Sequence, residues 1–184
     1  MDFNFKEIND LYLNEIYDLQ MSVFQEGYDE SLLRYNSKEM LKEVLIKNSY
    51  TLGVFHNGPL IAIGILQYYQ TLLKDAELNI LLKNKKFDRY FTVKLIIVKK
   101  GYRGYGLQRR MLDKMVEHII QNIERDKKIL FLATVSPSNK YSLDNFLACG
   151  YKILSLKKMY GGYDRFLVYK EVKSEFKIDK AISE

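Results

Sequence analysis

Apolar positions along the chain recur with two periods. Residues 11–24 carry Leu13, Ile16, Tyr17, Met21 and Phe24 at helical spacing, and residues 107–123 carry Leu107, Met111, Met115, Ile119 and Ile123 every four positions. Leu112, Val116 and Ile120 widen the second stripe while the opposite face stays polar, which predicts a long amphipathic helix. Two shorter helices are predicted, over 40–48 behind Ser37 as N-cap and over 140–148 before Gly150. Strand-like runs cover 3–8, 50–55, 60–69, 91–98, 129–135, 151–159 and 165–172. Asn57-Gly58 reads as a hairpin turn, and Gly161-Gly162 joins the last two strands.

The runs 95–98 and 129–135 are continuously apolar, as strands covered on both faces are. Strand, long helix and strand between 91 and 135 predict a parallel crossover. The predicted order is β-α-α-β-β-β-α-β-α-β-β. The class is therefore α/β (α+β), a mixed, mostly antiparallel sheet with one central parallel βαβ unit and helices covering it. Residues 70–90 fit neither period, and an excursion of about twenty residues is long enough to suspect a functional flap.

Composition narrows the function classes. The chain has 184 residues, 47% hydrophobic and 28% charged, which reads as one globular domain over 1–184 with a tail at 173–184 prone to fraying. A single cysteine, Cys149, leaves no intramolecular disulfide and no cysteine-rich metal site, and it reads as a buried structural thiol. His56 falls in a turn and His118 on a polar helix face, so both read as solvated and no metal is expected. No apolar run is long enough to span a membrane and the N-terminal MDFNFKEIND does not read as a secretory leader. The expectation is a cytoplasmic protein, a monomer or homodimer, without membrane or nucleic-acid partners. The net charge of +6 favours an anionic ligand, but there is no run of five like charges and no nucleic-acid-binding string.

One segment concentrates that charge. Lys99-Lys100-Gly101-Tyr102-Arg103-Gly104-Tyr105-Gly106-Leu107-Gln108-Arg109-Arg110 joins a buried strand to the long helix. The first N–H groups of a helix have no intrahelical partner, and the dipole is positive there. Glycines allow close backbone approach, and five basic side chains crowd the junction. The arrangement suits a phosphate or pyrophosphate. It matches neither the P-loop string nor the dinucleotide-binding fingerprint. The plainer alternative is a glycine-rich turn with surface lysines.

The run Arg103-x-x-Gly106-x-Gln108 resembles motif A of the GNAT superfamily of acyl-CoA N-acyltransferases, with Gln108 where the family places Gly or Ala. Downstream, Asn139, Phe146, Gly150 and Tyr151 stand at the spacing of a second family block, and the element order is similar over about residues 3–172. The resemblance implies a splayed sheet with helices on both faces. It places the acyl-CoA pantetheine arm in the gap, paired with the main chain of Ile97, Val98 and Lys99. Backbone N–H groups of Arg103, Gly104, Tyr105, Gly106, Leu107 and Gln108 would hold the pyrophosphate. Asn139 would bond the pantetheine arm, and an N-cap role for it is equally compatible. Charge adds Lys100, Arg109 or Arg110 for the adenosine 3′-phosphate.

The implied reaction is transfer of an acetyl group from acetyl-CoA to a primary amine by direct attack on the thioester, without a metal. The family often uses a tyrosine at the position of Phe146 to return a proton to the thiolate. Phe146 has no proton to give, so the catalytic residues are left unassigned. Tyr160, Tyr163 or water remain open as the acid, and Glu77 or Asp88 as the base. The same substitution favours a second reading, a non-catalytic acyl-CoA-binding module. Glu26, Asp29 and Glu30, with Tyr28 among them, lie in the loop that covers the acceptor in this family. They suggest a small cationic amine as acceptor; a peptide amine is the other class, and a solvated acidic loop the plain reading.

Overall fold

The computed structural model describes residues 1–28, 30–69, 82, 85–123 and 126–174. Among these residues seven strands form one sheet: β1 (Asn4–Ile8), β2 (Ser49–Phe55), β3 (Leu60–Tyr69), β4 (Arg89–Val98), β5 (Lys128–Val135), β6 (Lys152–Met159) and β7 (Tyr163–Lys173). Their order is β1-β2-β3-β4-β5-β7-β6, and every neighbouring pair is antiparallel except β4–β5. Among the described residues the helices are α1 (Leu13–Gln25), α2 (Lys38–Ile46), α3 (Leu107–Asn122) and α4 (Lys140–Ala148). α1 and α2 bury Ile16, Leu19, Val23, Leu41 and Leu45 with Ile63, Ile65, Leu95 and Ile97. α3 and α4 bury Met111, Leu112, Met115 and Phe146 with Leu52, Val54 and Phe131 in a second cluster. Alternate residues of a strand face opposite sides, so the continuously apolar strands feed both clusters at once. The predicted class and its helices on both faces are therefore present.

Local chemistry sets the element ends. The first helix was expected from residue 11, but Asn9 accepts from the Leu11 N–H and holds Asp10–Tyr12 as a 3-10 turn, so α1 begins at Leu13. Ser37 caps α2 as read, accepting from the Met40 N–H at 3.2 Å. That helix stops at Ile46 instead of 48 because Lys47 is extended and Asn48 has φ of 49°. The two histidines are more engaged than a solvated reading allows. His118 stacks on Tyr50 with ring centroids 3.8 Å apart. His56 Nδ1 lies 2.7 Å from the Asp2 carbonyl oxygen and its ring meets Phe3 and Tyr102. The region proposed as a flap, with Glu77, falls mostly outside the described residues, as does the end of the tail. Asp88 is described, and it bonds the Lys128 N–H at 2.7 Å, at the start of β5. That is the end of the parallel pair opposite to the glycine-rich junction, so Asp88 is not available as a base.

The feature that positions the site is a bulge in β4. Ile65 pairs with Leu95 but Leu66 pairs with Val93, which leaves Lys94 as the extra residue. β4 pairs with β5 only from Arg89 to Val93. Beyond the bulge β4 follows β3, while β5 continues beside β7 to Val135–Phe166. A bulge bends its strand and increases the local twist, so the two parallel strands part here. The expected splay is present. α3 crosses the sheet close above it: a Cβ on Gly64 would lie 2.9 Å from Met115 Sδ. Met115 is fully buried. Met115→Ala is expected to lower stability by about 2–5 kcal/mol, read as a lower urea midpoint with an unchanged denaturant slope.

Candidate functional site

The splay opens into two adjoining cavities. The larger, about 550 Å³, is lined by Ile96, Ile97 and Val98 of β4, by Arg103, Gly104, Gly106, Leu107, Gln108 and Arg109, and by Asn139, Ser142 and Asn145 of α4 and its cap. The smaller, about 250 Å³, lies between α2, the bulge of β4 and the end of β5. Leu33, Ile96, Asn139 and Ser142 line both.

At the floor of the larger cavity stands the N-terminus of α3. Gly106 is its N-cap with φ of 67°, a conformation that costs other residues strain. It has no side chain to cap the helix, and space around its Cβ direction is open to 4 Å. The Arg110 N–H closes the first helical bond on the Gly106 oxygen at 3.0 Å. Among the described residues no partner is recorded for the N–H groups of Gly104 through Arg109. The helix therefore presents unpaired donors and a positive dipole end to the cavity.

The expected site residues divide into three groups. Val98, Gly104, Gly106, Leu107 and Gln108 line the larger cavity. Ile97, Lys99 and Arg103 are placed differently from the expectation. The Lys99 N–H donates to the Ile61 oxygen at 2.9 Å, so its main chain faces β3. Orientation alternates along an antiparallel ladder, so Ile97 faces β3 as well, and the main-chain groups of Ile96 and Val98 face the gap. The Arg103 N–H is bonded to the Lys100 oxygen at 3.2 Å. Tyr105 is half exposed and packs on Phe3 at 5.7 Å, away from both cavities. Among the three cations proposed for a terminal phosphate, Arg109 lines the larger cavity. Arg110 covers Phe5 at 4.6 Å, and Lys100 is exposed outside it.

The Arg103 side chain has a structural task that its motif position did not reveal. Its Nη2 donates to Glu26 Oε2 at 2.7 Å, its Nε donates to the Val98 oxygen at 3.1 Å, and its guanidinium lies 5.0 Å from the Tyr28 ring. The arginine thus ties the loop after α1 to the diverging end of β4. Glu26 is consumed in that pair, Glu30 is exposed and lines neither cavity, and Asp29 lies outside the described residues. Among the described residues, neither Glu26 nor Glu30 brings a carboxylate to the lining of either cavity.

Gln108 explains its own departure from a small residue. Its Nε2 donates to Ser142 Oγ and its Oε1 accepts from Asn145 Nδ2, both at 3.0 Å. Arg109 Nε adds a bond to Asn145 Oδ1 at 2.7 Å. The start of α3 is thereby braced against α4. Asn139 is the N-cap of α4, accepting from the Ser142 N–H at 3.2 Å, and it also lines both cavities.

Phe146 is buried against Tyr151, with ring centroids 5.0 Å apart, and borders the smaller cavity. Of the two tyrosines considered in its place, Tyr160 lines that cavity and its hydroxyl lies 3.1 Å from Thr134 Oγ1. Tyr163 is partly exposed and lines neither cavity. Cys149 is buried, and burial pushes its thiol up to about 11, so at neutral pH it is protonated and a poor nucleophile. No cluster of three or more potential metal-ligating side chains occurs among the described residues. Nor, among them, is any helix long and apolar enough to cross a membrane.

Comparison with known proteins adds to this geometry. The model of the acetyltransferase (GNAT) family matches residues 13–151. No curated protein sequence matches. Among solved structures, an acetyltransferase of the GNAT family from Streptococcus pneumoniae superposes with a TM-score of 0.67 over 93% of this chain and 99% of that one, at 18% identity. The ribosomal-protein-S18-alanine N-acetyltransferase from Escherichia coli gives 0.66 over 99% and 100%, at 12% identity. An aminoglycoside acetyltransferase in complex with coenzyme A and kanamycin gives 0.64 over 92% and 94%, at 10% identity. At such identities the likeness establishes the shared fold, and the match of the family model over most of the sequence establishes the relationship: the chain belongs to the GNAT acetyltransferase family.

Proposed function

We propose that the protein transfers an acetyl group from acetyl-CoA to a primary amine, the whole of residues 1–184 acting as one domain. The observation that carries this reading is the larger cavity, which runs from the unpaired N–H groups at the start of α3 to the point where β4 leaves β5. Main-chain N–H groups of Gly104 to Gln108 hold the pyrophosphate. The pantetheine arm extends along β4, where the Ile96 and Val98 main chains face the gap, and meets Asn139 at the junction of the cavities. A neighbouring fold that holds coenzyme A supports the choice of donor.

The thioester then lies between the two cavities, and the amine enters through the smaller. Holding the nucleophile against the carbonyl supplies most of what direct transfer needs. The amine must arrive neutral, and Glu43 is the carboxylate that lines the smaller cavity among the described residues. Tyr160 is the phenol that lines it, and in the absence of a tyrosine at Phe146 it returns the proton to the departing thiolate.

The test is a thermal-shift titration with acetyl-CoA, CoA and ATP, followed by thiol release with a panel of amines. Stabilisation by both CoA species but not ATP is expected, through binding linkage. No shift with either CoA species overturns the site. Phe146 also favours a second reading, a non-catalytic acyl-CoA-binding module. Tight CoA binding without thiol release to any amine would establish it.

A further inference from the structure

The acceptor cavity has a charge opposite to the one its covering loop suggested. Its described lining carries three cations, Arg34, Lys94 and Arg165, against one carboxylate, Glu43. Lys94 is there because the β4 bulge sets it apart from the regular ladder. Arg165, on β7, is only 3% exposed. Its Nη1 donates to the main-chain oxygen of Ser31, and its Nη2 to that of Glu30 at 2.5 Å. It forms no ion pair among the described residues. Two carbonyl oxygens satisfy two of its five donors but do not neutralise its charge, and a buried charge is retained at a cost unless something pairs with it.

A second guanidinium borders the same cavity and the same tyrosine ring. Arg34 lies 4.8 Å from the Tyr160 ring and Arg165 lies 5.8 Å from it. Tyr160 itself is held with φ of 53°, a rare conformation for an aromatic residue, and its hydroxyl is tied to Thr134. Arg34 has no side-chain hydrogen bond or ion pair among the described residues. Two guanidinium groups beside one ring, neither paired with a carboxylate among the described residues, suit a planar or tetrahedral oxyanion.

We propose that the amine acceptor carries an oxyanion, a carboxylate or a phosphate, which Arg34 and Arg165 bind beside Tyr160. Lys94 adds to the field from the wall of the cavity. The same cations oppose an ammonium and so favour the neutral amine that attacks the thioester. A polyamine without an acidic group is a poor acceptor on this account.

The inference rests on the acyltransferase reading, so the experiment separates the two. Thiol release from acetyl-CoA is measured for matched amines that differ in the anion: alanine against alaninamide in one arm, glucosamine 6-phosphate against glucosamine in the other. The expected result is a kcat/KM roughly tenfold or more higher for the anionic member of at least one arm. The arm that responds tells carboxylate from phosphate. Arg34 is exposed, so Arg34→Gln folds, and it is expected to collapse that ratio chiefly through KM. Preference for the uncharged member in both arms, or a ratio that Arg34→Gln leaves intact, overturns the proposal. Should the protein bind no acetyl-CoA, the acyltransferase reading fails by itself. Calorimetric titration of the same pairs then decides the anion site: tighter binding of an anionic member, lost in Arg34→Gln, upholds it, and equal binding overturns it.

Discussion

Gly106→Asp is expected to weaken acetyl-CoA binding by about a hundredfold or more while the fold survives. Gly106 holds the N-cap of α3 at φ of 67°, and no atom lies within 4 Å of the place a Cβ would take. Aspartate tolerates the left-handed conformation at modest cost and is a favourable residue at a helix N-terminus. The carboxylate would accept from the N–H groups proposed to hold the pyrophosphate, and its charge would repel that ligand. A loss of that size corresponds to roughly 2.7 kcal/mol of binding free energy. Calorimetry on the folded variant measures it, with Gly106→Asn as the control. The asparagine imposes the same backbone strain without the charge, so it is expected to lose distinctly less. Normal binding by a folded Gly106→Asp would remove the pyrophosphate from this junction.

Arg103→Met is expected to cost about 1–3 kcal/mol of stability, although Arg103 is a surface-adjacent member of a glycine-rich turn. The variant strands Glu26, whose side chain is 19% exposed, and leaves the Val98 oxygen without its donor. The arginine side chain is 34% exposed, so solvent screening keeps the loss below that of a fully buried pair. Adding Glu26→Gln to Arg103→Met is expected to recover part of the loss, because a neutral amide tolerates the site better than an unpaired carboxylate. Urea midpoints of the two single variants and the double variant measure the coupling. A cost below about 0.5 kcal/mol would reduce the bridge to an ordinary surface ion pair. Tyr28 and Leu33 border the larger cavity and move with this loop, so release of the clamp should also raise the KM for acetyl-CoA.

The backbone of the fold could be read from local periodicity. The four-residue stripe of α3, the Asn57-Gly58 hairpin and the apolar runs of β4 and β5 each contain enough information to define an element, because burial of one face imposes a period on that segment alone. The phosphate-suited junction was legible for the same reason: strand end, glycines, basic residues and helix start are contiguous in the chain. What failed locally were single contacts. The polar helix face predicts a solvated His118, yet Tyr50 of β2, distant in sequence, stacks on it. The motif gives Arg103 a role only through its backbone, yet its side chain is engaged by Glu26, 77 positions away.

The acceptor side was invisible for a stronger reason. Arg34, Lys94 and the pair Tyr160 and Arg165 come from three distant segments, the loop before α2, β4 and the β6–β7 hairpin, and no spacing in the sequence links those segments. The three acids of the first loop were conspicuous because they are neighbours, but the fold uses Glu26 internally and takes from Glu30 only a carbonyl oxygen. Helix and strand segments and the anion-suited turn could be read from the chain alone, since each follows from residues within one turn or one strand of each other, and the parallel crossover follows from the order of three such segments. The point where β4 leaves β5, the main-chain groups that face the gap and the charge that lines the smaller cavity emerged only once the chain was folded. Those depend on ladder register and on side chains brought together from distant parts of the chain, and neither leaves a periodic trace along it.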